Sequence, residues 1–190
     1  MTDVLLPVGQ PLGFVYPFAA GDGEPAASVR VGDDIQELSP GEYRIWLMAF
    51  GPTDDDDLVR RAEELGVTDS RDVIEAYLEL GLFINVDPAG PMDTLATVLD
   101  EHRLTPGGVG MGNSPEEPGT FSVGGPELEP RVRMNLDVYT LWATSNGASI
   151  LRLCRDMTSG GERDLEGIVR NIAENLPGLI GTGSGFLDRV

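Results

Sequence analysis

The chain has 190 residues, 41% of them hydrophobic, and 32 acidic residues against 13 basic ones give a net charge of −19. This is the composition of a soluble globular protein. An acidic body is repelled by phosphate backbones, so a general nucleic-acid binder is disfavoured, and no apolar run approaches the ~20 residues that span a membrane. One cysteine, Cys154, excludes an internal disulfide framework and suits a reducing compartment. The start, Met1 to Pro7, lacks the basic and long apolar regions of a signal peptide, so the cytoplasm is the expected location. All 13 basic residues are arginine, which reads as the codon bias of a GC-rich, actinobacterial genome.

In chain order, Gly13–Phe18 and Ala27–Val31 are predicted strands, joined by a loop over Ala20–Pro25. Ser39-Pro-Gly-Glu42 is a capping box with proline at the first helical position. It predicts a helix to Gly51 that buries Tyr43, Trp46, Leu47 and Phe50. A second helix starts near Thr53 and runs through Leu58, Val59, Ala62 and Leu65 to Gly66. A third spans Ser70–Leu80, with Val73, Ile74, Tyr77 and Leu78 inward and Gly81 as its stop. Leu82–Val86 is a β-branched, aromatic-rich strand. Pro88–Pro91 is a linker, and a helix follows from Met92 to His102. Gly107–Asn113 and Thr120–Gly124 flank Ser114–Gly119 as a hairpin. A strand over Arg131–Met134, helices over Leu136–Asn146, Ser149–Met157 and Arg163–Asn175, and a closing strand over Gly185–Asp188 complete the chain.

The two ends of this series repeat each other. Ile35–Gly51 aligns without a gap on Arg131–Gly147 at an offset of 96, matching Tyr43 with Tyr139, Gly51 with Gly147, and the two tryptophans of the chain, Trp46 and Trp142, with each other. Ser39 meets Asn135, and both are good helix N-caps. Such self-similarity predicts two copies of one small unit, each near the lower size limit for an independent core and so packed on the other. The charge is uneven between them. Residues 1–100 hold 5 arginines against 20 acids, whereas residues 131–190 hold 7 of each.

Candidate chemistry is sparse. Asp54–Asp57 offers oxygen ligands to a divalent ion, but it stands at a helix start, where aspartate caps free N–H groups, and side chains fan out around the axis. Gly107–Gly112 lacks the spacing, the following helix and the lysine of a phosphate loop. His102 is the one histidine and lies near a helix end, where a cation is welcome. Cys154 takes the place of Ala62 on an apolar helix face, so a Cys154–His102 enzyme is a minor reading, and no residue pattern asks for a metal or cofactor. Tyr43 with Trp46 and Tyr139 with Trp142 read as core anchors and not as a stacking site. Arg152, Arg155, Arg163 and Arg170 lie on the second and third helices of the second copy, where a helix-turn-helix protein would read a major groove.

Strand, three helices and strand, present twice, resemble a tandem winged-helix protein. Residues 28–87 resemble in pattern the small winged-helix domains that recognise precursor peptides of ribosomally made natural products. The acidic two-copy layout is similar to the winged-helix subunits of bacterial condensin complexes. The resemblance implies an α+β chain of two winged-helix-like domains, each of three helices with short antiparallel strands. The first copy would occupy residues 1–90, a linker helix and Gly/Pro-rich loop 91–120, and the second copy 121–190. The negative charge and the strand segments near Val29–Val31 and Leu82–Val86 point to a non-enzymatic module that takes a protein or peptide partner by strand addition at Val29, Arg30 and Val31 or at Phe83 and Ile84. The alternative is a DNA-binding regulator using Arg152, Arg155, Arg163 and Arg170 of the second copy.

Overall fold

Capping chemistry sets the helix starts. In the computed structural model, which describes residues 3–16, 25–51, 53–161 and 163–190, α1 (Pro40–Met48) opens on the predicted capping box. Ser39 Oγ accepts the Glu42 N–H at 3.3 Å, and the Glu42 carboxylate accepts the Ser39 N–H at 2.8 Å. Its counterpart α5 (Leu136–Thr144) is capped by Asn135, which accepts the Val138 N–H at 3.1 Å. Asp54 and Ser149 cap the second helices, α2 (Asp55–Glu64) and α6 (Ile150–Thr158). The third helices are α3 (Ser70–Glu79) and α7 (Leu165–Gly181). α7 continues past Asn175 and through Pro177, because Leu176, Leu179 and Ile180 extend its buried face. α4 (Met92–Glu101) stands between the two sets.

The described residues form a mixed α+β fold of seven helices and ten strands in small antiparallel sheets. The element order occurs twice. β1 (Val4–Pro7) is followed by a three-stranded sheet of β2 (Gln10–Val15), β3 (Ala26–Val31) and β4 (Asp34–Leu38), then α1–α3, then β5 (Phe83–Val86), which returns to pair with β1. The second half repeats this with β6 (His102–Pro106), the sheet β7 (Val109–Gly112), β8 (Phe121–Gly124) and β9 (Pro130–Met134), helices α5–α7, and β10 (Gly185–Arg189) returning to β6. The stretch 91–120 therefore holds α4, β6 and β7, and its strands pair with elements of the second half. β1, β4 and β6 carry no predicted strand. β1 and β6 have their partners, β5 and β10, far along the chain, and β4 is mostly polar, so none stands out locally as a strand. The predicted loop over residues 20–24 and the strand end at 17–18 lie outside the described residues.

The repeat reaches well beyond the aligned helix. Val8 N–H bonds Leu82 O and Gly107 N–H bonds Ser184 O, both at 2.9 Å. A β-bulge falls between Pro11 and Gly13 in β2 and between Gly110 and Gly112 in β7. Gly9 and Gly108 turn the chain at the same point with φ of 109° and 82°. A Cβ there would lie 2.7 Å from Arg30 O in one half and 2.5 Å from Gly124 O in the other, so both positions need glycine for conformation and for space.

Each half buries its tryptophan. Tyr43 stacks on Trp46 at 5.9 Å between centroids, and Tyr139 on Trp142 at 5.8 Å. Two expected core residues differ. Leu47 is exposed because Tyr43, Ile45, Trp46 and Ala49 form the buried arc of this turn, and Leu65 is exposed because it follows the last helical residue and leaves the apolar stripe. The halves meet along β10. Leu187 bridges Val8 in parallel and its carbonyl accepts the Gly9 N–H at 2.7 Å. Phe50 meets Phe186 edge-on at 6.3 Å. Asp188, a buried carboxylate, accepts the Gly32 N–H at 2.5 Å and faces Arg103 at 2.9 Å.

Candidate functional site: a groove between a strand edge and a helix

β5 has a strand neighbour on one side only among the described residues. Leu5 sends its N–H to Thr53 O at 3.0 Å, away from β5. In an antiparallel ladder the opposite residue, Asn85, then also turns its backbone N–H and C=O away from β1. β5 lies beside α4, and the two line cavities together. A cavity of about 500 Å³ is lined by Phe83 and Ile84 of β5, Glu101 and His102 at the end of α4, Leu78, Glu79 and Arg189. A second, of about 130 Å³, is lined by Asn85 with Pro91, Thr94, Leu95 and Val98 of α4 and by Asp3 and Asp87. Residues 91, 94, 95, 98, 101 and 102 recur at helical spacing, so one face of α4 forms the wall along which both cavities lie.

The groove floor is apolar and its ends are charged. At the far end, burial raises the Asp3 pKa, and the carboxylates of Asp87 and Asp55 raise it further. Burial also raises that of Asp55, with Asp54 and Asp56 adding repulsion. At the near end, Glu79 and Glu101 flank Arg189, whose guanidinium donates to Leu80 O. His102 is buried, and its Nδ1 lies 2.7 Å from Val98 O. Burial pushes its pKa down, which favours the neutral imidazole over the cation that a helix end would welcome.

The other candidates fall elsewhere. Val29, Arg30 and Val31 lie on β3, the middle strand, paired with β2 and β4 on both sides, so the open edges of that sheet belong to β2 and β4 instead. Phe83 and Ile84 lie on β5, which among the described residues pairs with β1 alone. Cys154 is buried in α6 and burial pushes its thiol up to about 12; it does not line the groove beside His102. Gly107–Gly112 leads into the β7–β8 hairpin, with no helix to receive a phosphate. Arg152 pairs with Asp156 on its own helix. Arg163 precedes α7, against the expectation of a helical position, and pairs with Asp137. Arg170 is held by Glu166 and by Pro88 O and Gly90 O, tying α7 to the loop before α4. Arg155 is exposed on α6. α4, the missed half of the groove, was visible in sequence only as a helix after a linker.

Within the Asp run, Asp54 caps α2 and Asp57 bonds Arg60 and Thr53. Arg60 and Thr53 hold the Asp57 pKa below the ordinary carboxylate value, whereas burial and Asp54 and Asp56 raise that of Asp55. A lowered pKa contributes stability that is present above the unfolded value and lost as pH falls through the folded one. A raised pKa acts oppositely, destabilising at neutral pH and relieved on acidification. Replacing both Asp55 and Asp57 by asparagine is therefore expected to leave the melting temperature at pH 7 nearly unchanged, with Asp55→Asn alone stabilising and Asp57→Asn alone destabilising. Calorimetric titration of the native protein with Ca²⁺ and Mg²⁺ is expected to give no micromolar binding. Tight binding that vanishes in the double variant would make the run a metal site.

Comparison with known protein families, with curated proteins and with solved structures finds no match for this chain.

Proposed function

We propose that this chain is a non-enzymatic protein- or peptide-binding module built from two winged-helix-like repeats, and that its α4–β5 groove takes an extended segment as an added strand. The observation that carries this reading is the open β5 edge walled by one face of α4, with cavities at both ends of the shared line. Main-chain groups on such an edge supply affinity in register, and flanking pockets select alternate side chains. The apolar floor of Phe83, Ile84, Leu95 and Val98, framed by Asp3, Asp87, Glu79 and Glu101, suits a segment that alternates basic and apolar residues. The buried, high-pKa Cys154 thiol supports a non-enzymatic role, since the thiolate is the reactive form. The DNA-binding alternative is less well supported, because the net charge of −19 opposes approach to a phosphate backbone and Arg170 is held by Glu166, Pro88 O and Gly90 O.

The test is fluorescence anisotropy with a labelled peptide of alternating arginine and leucine, and with an acidic peptide of the same apolar pattern. Binding of the basic peptide alone is expected. Thr94 is exposed on the groove wall, so Thr94→Trp fills the smaller cavity without entering the core and is expected to weaken binding at least about tenfold, or ~1.4 kcal/mol. Equal binding of both peptides, or binding indifferent to Thr94→Trp, refutes the groove. A sequence-specific shift of duplex DNA at ~150 mM salt, lost in Arg155→Ala/Arg163→Ala, would establish the regulator in its place.

A further inference from the structure

We infer that a second copy of this chain is a partner, with β4 of one copy pairing edge to edge with β9 of the other. β4 and β9 are equivalent strands of the repeat, and each is the outer strand of its sheet. Their places in the two ladders coincide: Leu38 and Glu37 lie across from Ala27 and Ser28, Met134 and Arg133 across from Phe121 and Ser122. Their exposure also agrees, with all residues but the last lying open or half-open. Only their charge is opposed. β4 reads Asp34-Ile-Gln-Glu-Leu38, and β9 reads Pro130-Arg-Val-Arg-Met134.

Charge on an open edge normally deters pairing. Here it deters β4 from β4 and β9 from β9, yet leaves β4 and β9 complementary. An antiparallel register that sets Gln36 across from Val132 places Glu37 opposite Arg131 on the outer face. It also lays the stem of Arg133 over Ile35, which is 62% exposed. Opposite-charge and apolar cross-strand pairs each favour such a ladder, and the two sheets would continue as one of six strands. The competing partner of Arg133 within the chain is Glu117 at 3.3 Å, an ion pair with both side chains more than half exposed and so of little strength. One contact leaves a free β9 on the first copy and a free β4 on the second, so association is head-to-tail, closing as a ring or growing as a chain.

The experiment is sedimentation velocity of the full chain up to about 500 µM, a range that reveals even weak pairing. The native protein is expected to associate with rising concentration. Asp34→Arg/Glu37→Arg makes both edges basic, and Arg131→Glu/Arg133→Glu makes both acidic. Each variant alone is expected to sediment as a monomer, and an equimolar mixture of the two is expected to associate again. The neutral pair Glu37→Gln/Arg133→Gln, expected to weaken association at least about tenfold, gives the same reading should a reversal fail to fold. A native protein that stays monomeric, association that persists in either reversed variant, or a mixture that remains monomeric overturns the inference. None of these outcomes bears on the α4–β5 groove, which is a different surface.

Discussion

Trp46→Ala is expected to cost about 3–5 kcal/mol and, at about 2–4 °C per kcal/mol for a chain of this size, to lower the melting temperature by roughly 6–20 °C. The indole is fully buried, stacked on Tyr43 and met edge-on by Phe50 at 5.0 Å, so its removal leaves a cavity that these rings cannot refill. Trp142→Ala is expected to cost a similar amount, because the repeat places it on an equivalent Tyr139. Phenylalanine at the same positions separates the two. Trp142 donates its Nε1–H to Ser184 O at 2.6 Å, whereas Trp46 Nε1 has no partner among the described residues. Trp142→Phe therefore loses a hydrogen bond worth about 1 kcal/mol that Trp46→Phe does not. Thermal melts followed by circular dichroism read all four variants. A loss below about 1 kcal/mol for Trp46→Ala would show that the indole does not anchor a packed core.

Asp188→Ala is expected to destabilise by about 2–3 kcal/mol and to loosen one half of the molecule from the other. Its Oδ1 accepts the N–H groups of Gly32, in the β3–β4 turn of the first half, and of Arg189 at 3.0 Å, while Oδ2 meets Arg103. The Arg103 side chain is 31% exposed, so water screens that ion pair, and most of the loss comes from the two stranded backbone donors. Asp188→Asn keeps an acceptor for Gly32 and is expected to fall between the native protein and the alanine variant. Chemical denaturation is the appropriate measurement, because uncoupled halves broaden the transition as well as shift it. A sharp, unshifted transition in Asp188→Ala would remove this carboxylate from the contact between the halves.

Most helix starts and the two tryptophan positions are legible in the sequence, since each depends on neighbours within four residues. Ser39 with Glu42, the cap at Asn135 and the spacing of Tyr43 and Trp46 are local features of this kind. The mixed helix and strand content followed from these together with the predicted strands. The extent of the repeat did not, because β1 and β6 become strands only when β5 and β10, about 80 residues further on, complete their ladders. Strand neighbours are a property of the folded chain, and Val29 to Val31 show the consequence. Their β-branched pattern marks a strand but not whether it lies at an edge, and pairing on both sides closes it to a partner. Phe83 and Ile84 carry a similar pattern on a strand that among the described residues pairs with β1 alone, beside an α4 whose sequence does not announce the wall it forms. Likewise the arginines of the second copy look free in sequence, and only folding brings Asp137 to Arg163 and Pro88 O to Arg170. What nearby residues decide is written in the order of the chain, and what residues 80 or 150 positions apart decide appears only when burial brings them together.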